Sequence, residues 1–213
     1  MTKKLFACCL ALVTLALFAP ARFAAAADAT VAPDVLVRSV ADDVLGIVRT
    51  DQSLASDTHK VLALVDEKVL PHFNFRRMTM LAVGKDWRNA TPEQQSRLTD
   101  AFRTLLVRTY SNAITQYRDR IIDYKPLRAS PDDKQVKVNT EVRQDGAQPI
   151  GIDYSLEKTP DGWKVFDVIV AGVSLVTNYR GSFGDEIRTK GIDGLIATLE
   201  AKNKTLSAET GDK

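Results

Sequence analysis

Cysteine is nearly absent from this sequence, and where it occurs it is uninformative about the folded part. Cys8 and Cys9 both lie inside an apolar N-terminal stretch. The rest of the chain therefore has no means of forming a disulfide or a thiolate metal site. Histidine is equally scarce: His59 and His72 are too few for a His-rich metal centre and leave little for a Ser-His-Asp triad. No G-x-S-x-G, G-x-G-x-x-G, Walker A or H-E-x-x-H string occurs. His72, next to Pro71, reads as a solvated or backbone-bonded loop histidine in preference to a base. An excess of one charge is also missing. Removing Lys3, Lys4 and Arg22 with the N-terminal stretch takes 29 basic residues to 26, against 27 acidic ones. Nucleic-acid affinity rests on neutralising phosphates, so that class is set aside. Long apolar runs are lacking too. The greasiest later segment, Val165 to Val176, falls short of the about 20 residues that span a bilayer.

The N-terminal stretch itself has the layout of an export signal. Lys3 and Lys4 precede an apolar run from Leu5 to Phe18, and Ala24 to Ala27 supply a small-residue cleavage site. Cys8 falls near the front of that run instead of after it, which argues against a lipoprotein signal. The expected organisation is a cleaved signal over 1–27, one domain over 28–201 and a polar, disordered tail over 202–213. With 27 removed, 186 of the 213 residues remain, enough for an ordinary core.

Helical spacing dominates the first half. Val37, Val40, Val44 and Ile47 recur every three or four residues from Pro33 to Arg49, and a second such segment runs from Ser53 to Leu70 before Pro71 stops it. Asn74 caps a short helix that ends near Gly84. Thr91-Pro92-Glu93-Gln94 reads as a capping box opening a long helix to about Arg120. The period then switches to two. Val136, Val138, Thr140 and Val142 alternate with polar residues, as do Ile150, Ile152, Tyr154 and Leu156. Asp145-Gly146 and Pro160-Asp161-Gly162 mark turns, Ile121 to Leu127 reads as a first strand, and Trp163 begins a strand apolar on both faces. Ala171-Gly172 turns the chain, and a closing helix starts at Val173, with Gly191 between its two apolar stretches. This predicts an α+β domain: a curved antiparallel sheet of about four strands wrapped by N-terminal and C-terminal helices.

Two carboxylates sit near apolar positions. Asp153 is out of phase with Ile152 and Tyr154 and faces solvent. Asp167 is in phase with Val165 and Ile169, which suits either a general base of raised pKa or, preferably, a hydrogen-bonded structural carboxylate. The apolar faces of strands and long helix form a packed core if they meet, and an apolar cavity if they stand apart.

The strings VLPHFNFRRMTMLAVGKDWRNATPEQQ, FRTLLVRTYSNAI, PIGIDYSLEKTPDGWKVFDVIVAGVSLVTNYRGSF and GIDGLIATLE resemble the MlaC family, also called the toluene-tolerance auxiliary-component family. The likeness covers roughly Pro33 to Glu200. It implies a nuclear transport factor 2-like sheet around an apolar pocket in a periplasmic, non-enzymatic phospholipid carrier that needs no cofactor. It also implies shuttling between an outer-membrane lipoprotein–porin complex and an inner-membrane ABC transporter with a ring of MCE domains, maintaining outer-membrane lipid asymmetry. A monomer is expected, without nucleic-acid or metal partners. Expected acyl-chain contacts are Phe102, Leu105, Leu106 and Tyr110 on the long helix and Val138, Val142, Ile150, Ile152 and Tyr154 on the middle strands. Val168, Val170, Leu175, Val176 and Tyr179 are expected to follow on the closing segment. Met78 and Met80 suit varied chains or plain core. Arg76, Arg77 and Arg180 are candidates for a head-group phosphate or a docking surface. The competing readings are an enzyme with Asp167 as base, and an interaction domain with a filled core.

Overall fold

The computed structural model describes residues 31–143 and 146–209. The signal expected over 1–27 and the last four residues lie outside them.

Pro33 at the first helical position opens α1 (Pro33–Thr50), which buries Val37, Val44, Leu45 and Val48 along one stripe. The segment expected to be one helix from Ser53 is divided by two caps. Asp51 accepts a hydrogen bond from the Ser53 amide at the start of a 3-10 turn, and Asp57 accepts one from the Lys60 amide to open α2 (Thr58–Lys68). α3 (Phe75–Val83) is capped by Asn74 and ends at Gly84, whose φ is 69°. The capping box at Thr91 is present with both of its hydrogen bonds and starts α4 (Pro92–Tyr110).

α4 stops ten residues short of Arg120. The Ser111 hydroxyl donates back to the Val107 carbonyl, and Asn112, a weak helix former, follows. A single turn, α5 (Ala113–Gln116), then leads the chain to the sheet.

That sheet has five antiparallel strands in sequence order: β1 (Ile121–Tyr124), β2 (Gln135–Arg143), β3 (Ile150–Thr159), β4 (Gly162–Val170) and β5 (Val173–Ser174). β1 is shorter than expected because Pro126 has no amide to donate. Of the turn expected at Asp145-Gly146, Asp145 lies outside the described residues and Gly146 has φ 75°. The additional strand arises at Ala171 and Gly172. Their φ values, 49° and 82°, are both left-handed, as a two-residue hairpin requires. Val173 therefore pairs with Val170, and the closing helix α6 (Leu175–Glu209) begins two residues later than expected. Gly191 kinks α6, with φ 73° and ψ −178°. The tail expected to be disordered from Lys202 is helical through Glu209. Its Asn203 donates to the Ala101 carbonyl at 2.9 Å, and Leu206 packs beside the core.

β4 also carries a bulge. Ser155 pairs with Asp167 but Leu156 pairs with Val165, so Phe166 has no partner and the strand changes phase there. The phase shared by Val165 and Asp167 in the sequence is thereby broken.

Three apolar cores result. The largest joins α3, α4 and both arms of α6, with Phe102, Tyr179 and Phe183 in mutual ring contact at 5.1–5.4 Å. A second lies between α1 and α2, and a third where Val37 meets Val138, Leu156 and Val165. Among the described residues, no helix is long and apolar enough to cross a membrane.

A hollow between the sheet and the N-terminal helices

The three cores surround a cavity of about 550 Å³. One wall is the stripe of α1 carrying Val37, Val40, Ala41 and Val44. The facing wall is the sheet: Ile122, Val142, Ile152, Tyr154, Val168 and Val170. Phe73, Phe75 and Met78 close it near α3, and Val107, Ile114 and Tyr117 close it beside α5. The short side chains on both walls explain the hollow. Valine, alanine and isoleucine stop before they meet across the gap, where larger residues would interdigitate. The two walls meet at one end, where Val37 packs on Val138, Leu156 and Val165, and α1 is backed on its other side by the core shared with α2.

Polar groups on this surface are few and uncharged, apart from one half-buried histidine. His72 has its pKa lowered, first by burial and then by the charge of Lys164, whose ammonium donates to the Pro71 carbonyl at 2.6 Å. The Ser111 hydroxyl is engaged with Val107. Tyr110 shares a hydrogen bond with Tyr179, while burial above all pushes the Tyr154 phenol up to about 12. Among the described residues, no Asp, Glu, Lys or Arg side chain lines the cavity.

Of the expected contacts, Leu106, Tyr110, Val142, Ile152, Tyr154, Val168, Val170 and Leu175 stand on the cavity wall. Phe102, Leu105, Val176 and Tyr179 are instead packed in the core of α3, α4 and α6. Val138 lies in the third core, and Ile150 is 40% exposed at the end of β3. Met78 reaches both core and cavity, whereas Met80 only borders the core. The contribution of α1 and of Phe73 and Phe75 was missed in the sequence, although the apolar stripe of α1 was visible there.

The arginines do not line the cavity. Arg77 pairs with Glu157, which also accepts from Asn74 at 2.8 Å, and its guanidinium lies 4.0 Å above the Phe166 ring. Arg180 donates twice to the Leu81 carbonyl, at 3.0 and 2.8 Å, tying α6 to α3. Arg76 donates to Gln95 at 2.8 Å and sits over Trp87. Asp167 does not line the cavity either. It accepts from the Ser174 hydroxyl at 2.6 Å and from the Val176 amide at 3.3 Å, which fixes the start of α6. Among the described residues, no cluster of His, Cys, Asp or Glu could hold a metal ion.

Comparison with known proteins adds four findings. The model of a family described as MlaC protein matches residues 38–201. The binding protein MlaC of an intermembrane phospholipid transport system, from Haemophilus influenzae, is 24% identical over 178 residues, 82% of this chain and 83% of its own length. The toluene tolerance protein ttg2D of Pseudomonas putida is 33% identical over 106 residues, 50% of this chain and 49% of its own. Among solved structures, a phospholipid-binding protein from Ralstonia solanacearum, in complex with a phospholipid, superposes with a TM-score of 0.76. It is 39% identical, and the match covers 82% of this chain and 98% of that one.

Proposed function

The chain belongs to the MlaC family, and on that premise we propose that it binds phospholipid with its acyl chains in the cavity and carries it through the periplasm. The observation that supports this most is the wall itself: an apolar hollow of about 550 Å³ to which the described residues bring no carboxylate, ammonium or guanidinium. Such a surface suits hydrocarbon and little else. Moving an acyl chain into water costs about 0.8 kcal/mol per CH₂, so a 16-carbon chain resists unassisted crossing by roughly 12 kcal/mol. A protein that offers equivalent burial removes that barrier.

The acyl chains rest against Leu106, Val142, Ile152, Val168, Val170 and Leu175. Lipid passes between an outer-membrane lipoprotein–porin complex and an inner-membrane ABC transporter with an MCE-domain ring, which keeps the outer membrane asymmetric. A carrier role involves no turnover, and Asp167, the carboxylate considered as a base, is off the cavity wall and engaged by the Ser174 hydroxyl and the Val176 amide. Native mass spectrometry of the protein purified from the periplasm without detergent tests the reading. One phospholipid mass per chain, identified after organic extraction, is expected. Folded protein of bare chain mass would overturn it in favour of an interaction domain.

A further inference from the structure

Tyr154 stands in the middle of β3 on the cavity side, opposite Val138 of β2 and Val168 of β4. Neither neighbour can accept a hydrogen bond. Protein packs around the ring, and the surface the residue keeps free is the one on the hollow. The phenols of the cavity differ in one respect. Tyr110 is satisfied by Tyr179, whereas the Tyr154 phenol makes no hydrogen bond among the described residues and has the phenol of Tyr117 as its titratable neighbour. Its hydroxyl opens onto the hollow, and once hydrocarbon fills that space and excludes water, a hydroxyl left without a partner costs about 1–3 kcal/mol.

We infer that the cargo brings its own acceptor to Tyr154, and that this acceptor is the carbonyl oxygen of a carboxylic ester, so that the protein selects ester-linked over ether-linked lipids. The inference rests on the carrier reading above and adds to it the chemical linkage that is recognised. The alternatives fit less well. A phosphate oxygen at that depth would carry its charge into a wall with no cation to meet it. A trapped water needs two to four polar partners and room beside the acyl chains, and the cross-strand neighbours of Tyr154, Val138 and Val168, offer it no side-chain partner. An ester carbonyl is neutral, accepts one hydrogen bond and is joined directly to the acyl chain that the same cavity would bury. With its pKa raised to about 12, the Tyr154 phenol remains a donor at every physiological pH.

A competition experiment tests this on the unaltered protein. Protein stripped of lipid is mixed with vesicles of equal parts diester and diether phosphatidylcholine, matched in head group and chain length. It is then re-isolated, and the bound lipids are extracted and counted by mass. The diester form should be enriched about tenfold, the worth of one hydrogen bond near 1.4 kcal/mol. In Tyr154→Phe the ratio should fall towards parity, with a smaller fall in Tyr117→Phe. Equal retention of the two lipids by the unaltered protein would overturn the inference and leave the carrier reading standing, as would undiminished ester preference in folded Tyr154→Phe. Protein that retains neither lipid would overturn both.

Discussion

Removing the cargo should weaken the protein, and the cavity sets the scale. Engineered voids cost about 24 cal/mol per Å³, so a dry hollow of about 550 Å³ would cost roughly 13 kcal/mol. That equals the whole stability of an ordinary domain, about 5–15 kcal/mol. The stripped protein must therefore lower this cost by drawing α1 towards the sheet or by admitting water at Ser111, Tyr117 and Tyr154. If such relaxation leaves about 3 kcal/mol unrecovered, a chain of this size loses about 2–4 °C of Tm for each, or roughly 6–12 °C. Differential scanning calorimetry of protein as purified, after stripping under denaturant and refolding, and after reloading from vesicles measures the difference directly. Reloading should restore the first value. Identical melting temperatures for stripped and loaded protein would refute both the size of the cavity and the proposal that lipid fills it.

Three shorter predictions accompany it. Val170→Glu places a carboxylate on the wall beside Ile152 and Val168, and should reduce co-purifying lipid at least a hundredfold with the far-ultraviolet spectrum unchanged; full lipid occupancy would refute this placement of the wall. Arg77→Ala leaves Glu157, whose side chain is only 14% exposed, without its charge partner, and should cost about 2–3 kcal/mol in urea unfolding. The double change Arg77→Met, Glu157→Gln should cost less than that, and a single-variant loss below about 0.5 kcal/mol would show the pair to be inert. The phenols of Tyr124, Tyr154 and Tyr179 all titrate higher when folded than the usual tyrosine, chiefly through burial. Folding then favours the protonated form, so their stabilisation is complete below pH 10 and is lost as pH rises through the folded value, about 12 for Tyr154. Absorbance at about 295 nm should show them ionising only as the protein unfolds, whereas smooth titration near pH 10 would contradict their burial.

Local chemistry explains what could be read from the sequence. Thr91, Asn74 and the alternation in β2 and β3 each act within a few residues, and each has its expected role in the structure. Failures arise where distant elements decide. The bulge at Phe166 moves Asp167 off the phase of Val165, and no residue near it advertises a bulge. Ser111 ends α4 through a single back-donated hydrogen bond, although the apolar spacing continues through Ile114 and Tyr117. Lys202 to Glu209 is polar enough to read as disordered, but Asn203 bonds to α4 and Leu206 packs against the large core. The cavity poses the harder problem. An apolar stripe announces that it will be covered, not whether its cover touches it. Phe102 and Leu106 lie on one helix four residues apart, yet one is in a solid core and the other beside a void. Which face meets a partner depends on how α1 and the sheet are held apart, and that is a property of the assembled molecule.

The kink at Gly191 bears on assembly. A straight α6 of 35 residues would extend about 52 Å, longer than the roughly 40 Å diameter of a domain this size. Bent at Gly191, in a conformation open only to glycine, the second arm returns to bury Leu195, Ile196 and Leu199 against its own chain. A β-branched residue at this position would favour the straight form and send that greasy arm into solvent. Its nearest suitable receptor would be the vacated groove of another copy, and reciprocal exchange would yield an intertwined dimer, visible by light scattering of Gly191→Val. One backbone angle thus keeps the arm at home.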